Sequence, residues 1–328
     1  MPNSPGQQSG QAGFDWGDYV AELVGEWGSL AHAAQHLAER RGFQEDAASV
    51  ERGLRRLRAR GTKDGGVWGQ RALRCFGLPG AVSQRIRWMG QYHTRFTDLP
   101  VSLCEELIRP WDRPPVSESP ARVWIFLARV SVALRRREDP GPALEQARLI
   151  ANHAELAARI ELGLVEAFYW YRREPERAQV ALDLAGNLLE HAQEELDADD
   201  RACLFARWTD QVAYPLNRPP KGEVADHAGA AALYEQIPLL GPPFARCRRE
   251  NGLGWSRLQL GQRELAQAHA RASMAAAGDS GSLRMRAMAL SLLAATSEGE
   301  AADQARERAR AIAGRLEDEA LAFRFRPR

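Results

Sequence analysis

From Phe14 to Gly61 apolar residues recur at helical intervals in three runs separated by breaks. Trp16, Tyr19, Val20, Leu23 and Trp27 share one face of a first helix, which Gly28 ends. Ser29 is placed to cap a second helix, whose stripe is Leu30, Ala33, Ala34 and Leu37 and which stops at Arg41-Gly42. Asp46 is a candidate N-cap for a third helix over 47–60, stopped by Gly61. Val50, Leu54 and Leu57 cluster on one side of it. At roughly 100° per residue, Ala48, Arg52, Arg55, Arg56 and Ala59 project from the other.

Beyond Gly61 the pattern changes. Asp64-Gly65-Gly66 beside Val67-Trp68 predicts a tight turn and a short β-hairpin within 62–69. Between Gly80 and Phe96, the residues Ile86, Trp88, Met89, Tyr92 and Phe96 predict the core-facing side of a joining helix. Pro100, Pro110, Pro114, Pro115 and Pro120 then forbid one continuous helix, so 97–120 reads as a Pro-rich linker with a short helix over about 101–109. From Ala121 onward, long Ala/Leu/Arg/Glu helices alternate with short breaks, interrupted by an enlarged loop at Asn217–Val224. The predicted fold class is all-α, with a small hairpin wing in its N-terminal part. The expected organisation is a tail (1–13), a basic domain (14–96), the linker (97–120) and an α-solenoid of helix pairs (121–328).

Three helices, the third basic, followed by a hairpin resemble a winged helix-turn-helix domain. The residues that carry the resemblance are Gly28-Ser29-Leu30 with Ala33-Ala34 and Leu37, then Ser49-Val50 with Leu54-Arg55-Arg56-Leu57. The resemblance implies that the third helix enters the major groove of duplex DNA and that the hairpin touches phosphate. Its implied DNA-binding residues are Ser49, Arg52, Arg55 and Arg56, with Arg60 and Lys63 on phosphate.

Leu253-Gly254, Leu258, Gly261, Ala266, Ala270 and Ser273 resemble the tetratricopeptide repeat, in which small residues let antiparallel helices approach closely. Looser copies run from Trp124 to Ala151, from Leu162 to Ala185 and from Leu290 to Ile312. A further helix pair is expected at Cys203–Tyr214 and Ala228–Ile237. Arrays of this kind expose a groove for a peptide or a partner protein.

Charge sharpens this picture. The 328 residues carry a net charge of +1, yet 1–48 sums to −5, 49–95 to +9 and 96–120 to −3. A segment at +9 attracts polyanions. Only Lys63 and Lys221 are lysine; the arginine excess fits a GC-rich coding sequence as well as a function. The uncharged polar stretch Met1–Gly13 reads as a disordered tail without the marks of a signal peptide. Cys75, Cys104, Cys203 and Cys247 form no CxxC pair, as expected of reduced thiols in the cytoplasm, and no apolar run reaches the ~18 residues a membrane span needs.

Other chemistry has little support in the sequence. His32 and His36 stand four apart, without the further ligands a metal site needs. No P-loop, dinucleotide fingerprint or nucleophile elbow occurs. Arg87 and His93 fit the loose spacing of HEPN-type ribonucleases, although Trp88 stands where those enzymes carry a polar residue. No catalytic residue, cofactor or metal is therefore expected. The leading expectation is a cytoplasmic DNA-binding transcriptional regulator whose repeat array binds a peptide or protein, or forms a homodimer. The alternatives are a non-enzymatic adaptor and, more remotely, a ribonuclease using Arg87 and His93.

Overall fold

Regular structure in the protein is helical throughout the described residues. The computed structural model describes residues 13–40, 45–192, 194–219 and 222–325. The expected tail, apart from Gly13, and the Arg41-Gly42 stop lie outside them.

The first four helices are α1 (Trp16–Trp27), α2 (Leu30–Ala38), α3 (Ala47–Arg58) and α4 (Gly66–Phe76). Ser29 and Asp46 cap α2 and α3 as the sequence predicts, and Asp15 caps α1 in the same way. Asp15 accepts from the Asp18 N–H at 2.9 Å, Ser29 from His32 at 3.1 Å and Asp46 from Ser49 at 2.6 Å. Gly28 closes α1 in the left-handed region at φ 74°. Trp16, Tyr19, Val20, Leu23, Leu37, Val50, Leu54 and Leu57 form one core, joined by Ala72 and Leu73 of α4. Each such large side chain contributes about 1.5–3 kcal/mol on burial. Tyr19 ties the unit shut, its hydroxyl donating to the Gly77 carbonyl at 2.9 Å.

The hairpin expected at 62–69 does not form; Gly66 opens α4 instead. The reason is a helical period in small and apolar residues that the Asp-Gly-Gly turn signal masked: Gly65, Gly69, Ala72, Leu73 and Phe76. A Cβ at Gly65 or Gly69 would lie 2.2 or 2.7 Å from the Trp16 ring, so these glycines let α4 press against α1. Glu118 completes the start of α4, its Oε1 accepting from the Gly65 N–H at 2.9 Å.

α5 (Gly80–Gly90) places Val82, Ile86 and Met89 in a second core and packs against α7 (Arg122–Arg136). The helix expected to continue to Phe96 stops at Gly90. A Cβ at Gly90 would sit 2.5 Å from the Trp124 carbonyl oxygen, and Gln91 is extended, with ψ 129°. Tyr92 and Phe96 therefore lie beyond α5 on a strap, residues 91–98, which ends in a short 3-10 helix at Arg95–Asp98. Within the Pro-rich stretch, α6 (Val101–Ile108) forms where expected and buries Val101, Cys104 and Ile108.

The rest of the chain is a succession of adjacent helix pairs, a solenoid-like all-α arrangement. α7 pairs with α8 (Gly141–Ala151), α9 (Leu156–Trp170) with α10 (Pro175–His191), and α11 (Ala198–Asn217) with α12 (His227–Glu235). α13 (Pro243–Gln259) pairs with α14 (Arg263–Ser280), and α15 (Leu283–Thr296) with α16 (Gly299–Arg315), before α17 (Glu319–Arg324). In the α13–α14 pair Ala266, Ala270 and Ser273 are fully buried, and a Cβ at Gly254 would come within 2.3 Å of Leu292.

The two ends of this array meet. The Val101 N–H donates to the Leu316 carbonyl at 3.2 Å, and Ser102 donates to Glu317 through both its backbone N–H and its hydroxyl, at 2.8 and 3.0 Å. α17 packs on α7, where Arg137 stacks over Phe323 at 4.2 Å.

Candidate nucleic-acid face and inner strap

Helix α3 divides sharply. Val50, Gly53, Leu54 and Leu57 are buried, while Arg52, Arg55 and Arg56 are exposed along the opposite side and Arg58 is exposed at its flank. Gly53 permits this seating: a Cβ there would fall 2.3 Å from the Trp68 ring of α4. Ala33 and Ala34 of α2 are fully buried and keep α2 close to α3.

The six residues expected to face DNA do not play equal parts. Arg52 and Arg56 are exposed and carry no ion pair among the described residues. Arg55 is 66% exposed and bonds Glu51 at 2.5 Å along its own helix. Ser49 gives its backbone N–H to Asp46, at the start of α3. Arg60 is turned back, donating to the Asp64 carbonyl at 2.5 Å, so it braces the α3–α4 turn. Lys63 exposes its side chain, while its carbonyl accepts from the Trp16 indole at 3.0 Å. With the hairpin replaced by α4, Arg60 and Lys63 lie on the turn between α3 and α4 rather than beside a wing.

Elsewhere in the four-helix unit, His36 stacks on Trp27 with centroids 4.2 Å apart. No cluster of three metal-ligating side chains occurs among the described residues.

Arg87 and His93 do come together, on a shared carboxylate. Both engage Asp200 of α11, His93 through Nε2 at 2.9 Å, and Gln91 joins them at 3.2 Å. Burial alone would raise the Asp200 carboxyl. The His93 hydrogen bond and the Arg87 and His93 charges more than reverse this and hold it well below the usual carboxylate range. The second Arg87 contact is Glu155, at 3.5 Å, whose other oxygen accepts from the Trp124 indole at 2.5 Å. These residues anchor the start of the strap.

Between Tyr92 and Asp98 the strap crosses the first helices of three successive pairs. The Tyr92 hydroxyl accepts from Arg248 of α13 at 3.0 Å and from Arg284 of α15 at 3.2 Å. Arg207 of α11 lies over the Tyr92 ring at 4.4 Å. Asp98 accepts from the Ser282 hydroxyl and from the Arg284 backbone N–H, both at 2.9 Å, at the start of α15. Residues 91–98 thus lie along α11, α13 and α15, the first helices of three successive pairs. The arginines that form this site sit one helix pair apart, a period hidden in the sequence by arginine's abundance.

No protein-family model matches the chain, and neither a curated protein nor a solved structure does. No helix among the described residues is long and apolar enough to cross a membrane.

Proposed function

We propose that this protein binds duplex DNA through α3 and acts as a transcriptional regulator, with the helical array carrying a protein contact. The observation that supports this most is the α3 arginine face. Arg52, Arg55 and Arg56 project to solvent from a helix whose other side is locked into a core. Such a face supplies phosphate neutralisation and bidentate base contacts together. The N-terminal position of Ser49 on the same helix suits it to the leading end of a groove-entering helix.

The test uses the full chain. Duplex DNA should be retarded at low salt, with binding falling by orders of magnitude between roughly 50 and 200 mM salt. No retardation of any duplex at low salt would overturn the reading.

A second reading, an adaptor, is favoured by apolar side chains on the array. Leu149 of α8 is 69% exposed, and Val180 and Leu184 of α10 are 69% and 56% exposed. With the strap lying over α11, α13 and α15, these exposed residues of α8 and α10 are the surface a partner would meet in either reading. Arg87 and His93 share Asp200 and hold the strap, which favours a structural role for them over a ribonuclease site.

A further inference from the structure

We propose that Tyr92 is an ionisable latch: as a phenolate it completes the charge balance inside the closed array and grips the strap, and as a neutral phenol it loosens that grip.

The Tyr92 hydroxyl receives two guanidinium N–H groups, and among the described residues no acceptor takes its own proton. A neutral phenol must place that proton somewhere; a phenolate has none to place. Donation from two cations to an anionic oxygen is also the stronger arrangement.

The surrounding charges argue the same way. Arg207 is paired with Glu161, Arg248 with Asp210, and Arg284 with Asp318, which also serves Arg135. Four guanidiniums, those of Arg135, Arg207 and Arg248 buried and that of Arg284 partly buried, therefore face three carboxylates, and Tyr92 stands among them as the fourth potential anion. Asp98 at the far end of the strap is matched by Arg95 at 3.1 Å, and Asp200 at the near end by Arg87 and His93. Neither can supply the missing charge. The thiols packed nearby stay neutral: burial and Asp200 push Cys203 up to about 12, and burial raises Cys247.

Burial alone would raise the Tyr92 hydroxyl. The charges of Arg284, Arg248 and Arg207, with the Arg284 hydrogen bond, bring it down to about 7 instead. A group whose folded value lies below its unfolded one stabilises the fold fully above the unfolded value, and that contribution is lost as pH falls through the folded value. Tyr92 thus favours the folded array by up to about tenfold per pH unit between 7 and the ordinary tyrosine value, and contributes nothing by this route below 7. Tyr19 and Tyr234 are pushed upward by burial, and Tyr169 and Tyr171 also lie above the ordinary value, so none of these four titrates with Tyr92.

The experiment is a spectrophotometric titration of the folded full chain, following phenolate absorbance from about pH 6 to 9. One tyrosine is expected to ionise near 7, and Tyr92→Phe should abolish that step. If the first ionisation appears only near the ordinary tyrosine value of about 10, or if the step survives in Tyr92→Phe, the proposal is overturned. Should Tyr92→Phe fail to fold, Arg248→Gln keeps the phenol and removes one guanidinium. Its step should move to higher pH, and an unmoved step overturns the assignment.

Discussion

Arg135 of α7 donates to the carbonyl of Leu316, at the end of α16, at 2.7 Å across 181 residues of sequence. The same guanidinium nitrogen donates to Leu99 at 2.6 Å, and another approaches Cys104 at 3.4 Å. At 2% exposure, Arg135 is a buried clasp between the first and last parts of the array. Open solenoids protect their ends with polar caps. Here the ends cover each other, with α6 and the strap between them.

Arg135→Met should therefore be strongly destabilising. It leaves the Leu99 and Leu316 carbonyls without their guanidinium partner and removes one of the two arginines that serve Asp318. Breaking a buried charge pair from one side costs about 3–5 kcal/mol. Urea unfolding measures the loss, and proteolysis near Leu316 should become faster. A variant as stable and resistant as the parent would show that the clasp holds nothing.

Ala266→Glu tests the register of the α13–α14 pair. Ala266 has no exposed surface, so the new carboxylate would be buried without a partner. Unpaired burial and overpacking together predict a loss of a few kcal/mol or outright unfolding. An unchanged melting temperature would contradict the placement.

Gly53→Ala tests the seating of α3. The new methyl would stand 2.3 Å from the Trp68 ring, a rigid neighbour. The expected cost is about 1–3 kcal/mol from overpacking, with a shift of Trp68 visible in its fluorescence. Trp68→Leu in the same background should recover part of the loss.

Acid should loosen the near end of the strap through Asp200. Its carboxyl is held below the ordinary value, so its contribution is complete above the unfolded value of about 4 and is lost as pH falls further. Asp200→Asn should flatten the acid limb of the stability profile while lowering stability at neutral pH. An acid limb as steep as the parent's would place the sensitivity in another carboxylate.

The helices were legible because their signals are local. The 3.6-residue stripes of α1 to α3, the caps Ser29 and Asp46 and the small residues of α13 and α14 all act within one or two turns. The α4 segment was misread because Asp-Gly-Gly can either turn a hairpin or start a helix. The choice is made by Trp16, some fifty residues earlier, and by Glu118, some fifty later. Tyr92 and Phe96 have helical spacing with Met89, yet contact between Gly90 and Trp124 ends the helix before them. The latch around Tyr92 was illegible for a related reason. It joins side chains from five separated helices, and no pattern along the chain marks a charge balance. The arginine side of α3 was legible, since amphipathic geometry alone fixes which residues face outward.

The central claim rests on that side of α3, and a duplex-DNA retardation assay on Arg52→Ala and Arg55→Ala tests it most directly. Both side chains are exposed and point away from Val50 and Leu54, so each variant should melt as the parent does. Each should lose about 1–3 kcal/mol of discrimination between duplexes, as expected for a lost arginine–guanine contact. Arg87→Ala and His93→Ala, which touch only the strap anchor, should leave DNA binding unchanged. Folded Arg52→Ala and Arg55→Ala proteins that bind duplex DNA with the parent's affinity and preference would contradict the account.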